Sequence, residues 1–314
     1  MNAPTLTRAD VPVSLLQRLQ DRLTGASGRR LVTAVPYGFL ILFFSLPFLV
    51  VLQLSVSDSD GIRFENLLRY TDGVLSLKLR LSNYLFLISD SLYANAYGSS
   101  LRLAALNTVI CLLIGYPFAY FMARAPERQR GMLVMLVSLP FWTSYLLRVY
   151  AWKGILDDHG VINELLLNLH LIEHPLRMMH TPFSVTIAMV YTYLPFMILP
   201  LYANLAKMDL RLLEAAYDLG ATPWQAFWLV TVPLSRAGIV AGAMLVFIPS
   251  VGEYVIPEML GGPSTLMIGR VLWDEFFSNN DWSMASSVAV TMVIMILVPL
   301  VIFNRVQNES EGTH

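Results

Sequence analysis

The sequence predicts an all-α integral membrane protein with six membrane-spanning helices, and three observations carry that prediction. Hydrophobic residues make up 56% of the chain and charged residues only 14%, where a soluble domain has about a quarter charged. Six apolar stretches each approach the ~20 residues needed to cross ~30 Å of hydrocarbon. Every one of them contains proline, which a spanning helix tolerates only where neighbouring groups meet the backbone carbonyls it frees. A net charge of −1 argues against a nucleic-acid partner, which needs a basic face to neutralise phosphates. The single cysteine, Cys111, permits no intrachain disulfide and no cysteine metal cluster, so redox and metal chemistry are not expected.

The elements follow in chain order. Residues 1–30 form an N-terminal segment in which 14–23 (SLLQRLQDRL) set Leu15, Leu16, Leu19 and Leu23 on one face and Arg18 and Arg22 among the polar positions. This pattern predicts a helix lying on the membrane lipid, with a specific partner site as the alternative. The first span, 31–56 with Pro36 and Pro47, is too long and too cleanly bounded for a cleavable signal peptide. The others are 99–122 with Pro117, 132–151 with Pro140, 183–205 with Pro195 and Pro200, 238–257 with Pro249 and Pro257, and 284–303 with Pro299. Together they make one transmembrane domain over 31–303, followed by a tail at 304–314. Kinked helices suit a transport pathway, although proline is also simply frequent in membrane helices.

Orientation follows from the basic residues. Arg124, Arg128 and Arg130 crowd the short loop between the second and third spans, where the positive-inside rule is most dependable. That places both termini in the cytoplasm and assigns the loop over 206–237 to the same side.

That loop is highly structured. Asp209 is placed to cap a short helix whose apolar face is Leu212, Leu213, Ala216 and Leu219, and Gly220 to end it in a left-handed conformation. Thr222-Pro223-Trp224-Gln225 then reads as a capping box with proline at the first helical position, opening a second helix that runs to about residue 230 and stops near Pro233. Trp224, Phe227 and Trp228 have two possible roles: interfacial anchors on their own bundle, or knobs for a groove on a soluble partner.

The same stretch resembles a known family. Glu214-Ala215-Ala216, then Gly220, then Val230, Val232 and Pro233 reproduce in spacing the signature of permease subunits of binding-protein-dependent ABC importers, with valines where isoleucine and leucine are more usual. The resemblance implies the six-helix type I importer permease fold. It further implies that the loop forms coupling helices seated in a cleft of a separate ATPase dimer, with Glu214, Ala215, Ala216, Gly220, Trp224 and Pro233 at that contact. A second homologous permease subunit and a periplasmic substrate-binding protein complete the expected assembly, in a bacterial inner membrane.

Further stretches narrow the resemblance. These are 139–144 (LPFWTS), 148–152 (RVYAW), 249–258 (PSVGEYVIPE), 260–263 (LGGP) and 267–269 (MIG), which are similar to the polyamine branch and most of all to the first permease of putrescine importers. Asp281-Trp282-Ser283 departs from that branch, which has proline after the tryptophan.

Residue chemistry supplies an independent expectation. A polyamine path should offer carboxylates and aromatic faces to ammonium groups. Glu253, at the outer end of the fifth span, is the prime candidate, with Tyr254, Trp142, Tyr145, Tyr150 and Tyr193 as further pathway residues. Alternatives stand beside each: an ion pair of Glu253 with Arg148 or Arg102, and packing or interfacial roles for the aromatics. His170 and His174 are too few for a zinc site.

Only three lysines occur, Lys78, Lys153 and Lys207; none follows glycine or precedes serine or threonine, so no phosphate-binding P-loop is encoded. ATP is expected on a partner, and the chain itself is not an enzyme. A gradient-driven secondary transporter, with more intramembrane acids and internal repeats, and a permease for another small substrate remain the competing classes.

Overall fold

The computed structural model describes residues 26–57 and 81–311, plus four short strands between them; the amphipathic 14–23 stretch lies outside the described residues. The chain divides into two compact units, 1–54 and 55–314. The first unit contains helix α1 (Ala26–Leu40), a π-turn at Ile41–Ser45, and α2 (Leu46–Ser55), whose last residue falls in the second unit. Thr33–Ser55 is long and apolar enough to cross a membrane.

The second unit opens with two antiparallel ribbons, β1 (Ser59–Asp60) with β2 (Arg63–Phe64) and β3 (Leu68–Thr71) with β4 (Val74–Leu77). Helices follow: α3 (Ser82–Ser89), α4 (Ser91–Arg124), α5 (Glu127–Ser138), α6 (Tyr145–Leu156), α7 (Val161–Asn168) and α8 (Pro182–Leu205). The loop contributes α9 (Arg211–Asp218), α10 (Pro223–Ala226) and α11 (Val232–Leu234). The chain ends with α12 (Arg236–Val251), α13 (Val255–Leu260), α14 (Ile268–Trp273) and α15 (Trp282–Glu311).

Among the described residues, four helices are long and apolar enough to span a membrane, or six if each of two bent pairs counts as one. The first bend falls within the expected 132–151 span, at its proline. Pro140 sits in a 3-10 turn at Leu139–Trp142, Thr143 is extended, and the axis turns by 88°. The Pro140 carbonyl accepts both the Thr143 hydroxyl at 2.9 Å and the Thr143 amide at 3.3 Å, which closes the turn at the break. A second break ends α12 at Val251, inside the expected 238–257 span. It leaves Gly252 and Glu253 outside regular helix.

The core is the packed trio α4, α8 and α12. Gly238 and Gly242 lie one turn apart on α12, and a β-carbon on Gly242 would come within 2.8 Å of Met197 Sδ and 3.1 Å of its carbonyl oxygen. Only the absence of a side chain allows this approach, the usual device for packing helices without water to drive them together. A polar tie reinforces it: fully buried Asn107 on α4 donates to Ser250 Oγ on α12 at 2.8 Å. Many large apolar side chains on α4, among them Leu113, Phe118 and Phe121, point outward, an arrangement that suits hydrocarbon rather than water. A smaller cluster joins α3 and the start of α4 to α14 and α15 through Leu87, Tyr93, Ile268, Val271, Met284 and Val288.

Candidate functional site

Two constellations emerge, and the α4–α8–α12 trio carries both. The first surrounds Glu253, which is buried at 7% exposure. Oε1 accepts the Tyr145 hydroxyl of α6 at 2.7 Å, and Oε2 accepts the Tyr193 hydroxyl of α8 at 2.5 Å. The carboxylate also folds over the start of α13, where Oε1 accepts the backbone amides of Tyr254, Val255 and Ile256 at 3.1, 3.0 and 3.4 Å. The sequence accounts for this locally. Gly252 ends α12, and the restart at Val255 exposes amide donors that no earlier turn can satisfy. An acidic side chain costs about 2.5–3.5 kcal/mol at the centre of a membrane helix. Five donors, with hydrogen bonds to a charged group each contributing about 1.5–3 kcal/mol, offset that cost.

Neither arginine considered as a counter-ion is paired with Glu253. Arg148 lies over the Tyr145 ring, its Cζ 5.7 Å from the centroid. Arg102 lines a separate cleft with Asn95, Ser99 and Ser264. Of the expected pathway aromatics, Tyr145 and Tyr193 converge on the carboxylate. Tyr254 joins it through its backbone, while its ring stacks on Trp273 at 4.5 Å. Trp142 and Tyr150 point outward at 86% and 56% exposure. Phe196 links the pocket outward, its ring 6.2 Å from Tyr193 and 4.9 Å from Phe141. Beyond Tyr254, Arg270 bridges Glu258 at 2.6 Å, an acid the sequence reading left unassigned.

The second constellation is the 206–237 loop. Asp209 Oδ1 accepts the Arg211 amide at 3.1 Å, and its carboxylate grips the Arg211 guanidinium at 2.7–3.1 Å. That guanidinium holds the Asp209 carboxyl below its usual range, and Arg211 is raised in return. Helix α9 closes in a Schellman motif: Ala221 N–H bonds the Ala216 carbonyl at 3.0 Å and Gly220 N–H the Tyr217 carbonyl at 2.9 Å, with Gly220 at φ +84°. The expected apolar face is mostly unburied: Leu213 packs inward, whereas Leu212 and Leu219 stay exposed. Glu214 and Ala215 also lie on the exposed surface.

The capping box forms as expected, Thr222 Oγ1 accepting Gln225 N–H at 3.3 Å and Gln225 Oε1 accepting Thr222 N–H at 2.9 Å. The second helix ends at Leu234, one residue past Pro233, as expected, but not as a simple α-helix. It widens into a π-turn at Phe227–Thr231 and continues through Pro233 to Leu234. The three aromatics differ in their surroundings. Phe227 sits edge-on to Tyr116 and Tyr120 of α4 at 5.5 and 6.1 Å, and Tyr116 is hydrogen-bonded to buried Ser235 at 2.8 Å. Trp224 and Trp228 remain exposed at 70% and 50%. The sequence carries no signal for the Tyr116 and Tyr120 grip, because both lie a hundred residues upstream.

The histidines do not converge. His170 terminates α7 with φ +54°, so it does not share a helix with His174, and His180 Nδ1 bonds the Gly261 carbonyl at 2.9 Å.

The family model described as binding-protein-dependent transport system inner membrane component matches residues 23–308. The chain is 37% identical over 277 residues to the spermidine/putrescine transport system permease protein PotB of Haemophilus influenzae, covering 88% of this chain and 93% of that protein. To the PotB of Escherichia coli K12 it is 38% identical over 268 residues, covering 85% and 94%. Among solved structures, a bacterial ABC transporter involved in import of the acidic polysaccharide alginate superposes with TM-score 0.66 at 15% identity, covering 93% of this chain and 99% of that one. The inward-facing MetNI methionine transporter gives 0.53 at 15% identity, covering 68% and 94%. At such identities these two report the fold alone.

Proposed function

The chain belongs to the family of binding-protein-dependent transport system inner membrane components, and on that premise we propose that it is the permease subunit through which an ATP-driven importer moves polyamines, putrescine foremost. It is a multi-pass membrane permease of the ABC importer type, with relatives named for spermidine and putrescine transport. The observation that carries the cation reading is Glu253, a buried carboxylate clasped by two tyrosines among apolar helices. A carboxylate flanked by aromatic faces is the chemistry that receives an ammonium group.

In this reading Glu253, Tyr145 and Tyr193 line the path, Tyr254 and Trp273 extend it, and a second homologous permease supplies the other half. Both termini and the 206–237 loop face the cytoplasm. There Trp224 and Trp228 insert into a cleft of the ATPase, the Gly220 turn sets the angle between α9 and α10, and Phe227 passes the motion to α4. A substrate-binding protein delivers the cargo from the opposite side, and ATP is bound and hydrolysed by the partner.

Uptake of labelled putrescine and spermidine into cells with and without this subunit tests the reading. Loss of putrescine uptake on deletion, restored by the wild-type chain, supports it. Unchanged uptake of both polyamines overturns it.

A further inference from the structure

Arg148 lies three residues after Tyr145 on α6, and its Nε and Nη1 are buried without a hydrogen-bond partner. Its Cζ is 5.7 Å from the centroid of the Tyr145 ring, while the Tyr145 hydroxyl donates to Glu253 Oε1 at 2.7 Å. A single tyrosine therefore stands between a guanidinium with idle donors and a buried carboxylate. Idle buried donors carry a desolvation cost that an acceptor within reach removes, and arginine meets carboxylate through two parallel bonds. Glu253 is the acid that shares Tyr145 with it, and in this conformation its oxygens are already taken by five donors.

We propose that Arg148 is a positioning residue of the transport cycle, a tethered counter-cation that takes the Glu253 carboxylate when the path is empty and yields it to an incoming substrate ammonium. The inference rests on Glu253 being a pathway residue. Tyr145 and Arg148 stand about one turn apart on the same helix face, so a rotation of α6 withdraws the hydroxyl from Oε1 and brings the guanidinium to it. The backbone permits such a rotation. Thr143 and Ser144 are both extended between the 3-10 turn and α6, so no helical hydrogen-bond ladder ties the start of α6 to α5. The exchange replaces one cation by another at the carboxylate, leaving the charge of the site unchanged. A neutral solute cannot displace the guanidinium in this way, which makes Arg148 a determinant of specificity for amines.

The test uses the full importer in lipid nanodiscs, with ATP hydrolysis measured without substrate-loaded binding protein. Arg148→Gln and Glu253→Gln are each expected to raise this basal rate about fivefold, the double variant no further, and Arg148→Lys is expected to stay within about twofold of wild type. A wild-type basal rate in Arg148→Gln overturns the latch, as does an increase that adds to that of Glu253→Gln. Normal putrescine uptake by Glu253→Gln alone instead overturns the pathway reading, which keeps the two failures apart. Should Arg148→Gln not assemble, Arg148→Lys carries a second measurement with a water-soluble carbodiimide, which joins an amine to a touching carboxylate. Cross-linking between positions 148 and 253 is expected in the empty complex and several-fold less with saturating putrescine-loaded binding protein. Equal cross-linking in both states, or none in either, overturns the proposal.

Discussion

The hydroxyl of Tyr193 donates to Glu253 Oε2 at 2.5 Å, across 60 residues of chain. Tyr193 comes from the middle of a long helix and Glu253 from the break after α12. The bond therefore joins a helix to a break, where backbone geometry can change without dismantling a helix. Such a pairing suits a group that must hold cargo briefly and let it go.

Replacing Glu253 with Gln keeps the volume of the side chain and removes its charge. Putrescine uptake is expected to fall at least about tenfold, equivalent to ~1.4 kcal/mol of lost stabilisation, while copurification of the assembled complex is unchanged. Wild-type uptake kinetics would remove Glu253 from the path.

At Gly220 a β-carbon would meet nothing within 4 Å, yet φ is +84°. Substitution is therefore opposed by backbone strain alone, about 1–2 kcal/mol for an ordinary L-residue and less for Asn. Gly220→Val is expected to uncouple ATP hydrolysis from uptake and Gly220→Asn to retain most coupling, as read from substrate moved per ATP hydrolysed. Equal behaviour of the two variants would refute the conformational role.

Phe227 and Trp224 should separate by readout. Phe227→Ala removes a ring held between Tyr116 and Tyr120 and is expected to destabilise the permease by about 3 kcal/mol, the lower end for such truncations. Trp224→Ala, at an exposed position, should leave thermal unfolding within about 0.5 kcal/mol of wild type and weaken ATPase association in pull-down. The reverse pattern would exchange their roles.

Gly242→Leu forces side-chain atoms into Met197 and its backbone. Overpacking of this kind costs about 1–3 kcal/mol, so a lowered unfolding temperature in detergent is expected, with Met197→Ala recovering only part because the backbone contact remains. Unaltered stability would show that α8 and α12 separate freely.

Much of the 206–237 loop was legible in the sequence because its bonds are local. Thr222 and Gln225 are three residues apart, and Gly220 closes a turn whose partners are Ala216 and Tyr217. Such bonds form wherever the residues occur in that order. The aromatics were legible as a group and not as individuals, since burial of Phe227 depends on Tyr116 and Tyr120 arriving from another helix. The bend at Thr143 escaped hydropathy because the composition stays apolar through it.

The sequence by itself determined that the chain is a bundle of membrane helices with a capped, hinged loop, because composition and contacts within about five residues suffice for that. Only the tertiary structure decided that Tyr145, Tyr193 and Glu253 meet, that Arg148 is left without an acceptor beside them, and that Trp224 faces outward while Phe227 does not. Those outcomes depend on partners 60 to 111 residues away, whose approach is set by how closely α4, α8 and α12 pack at their small residues.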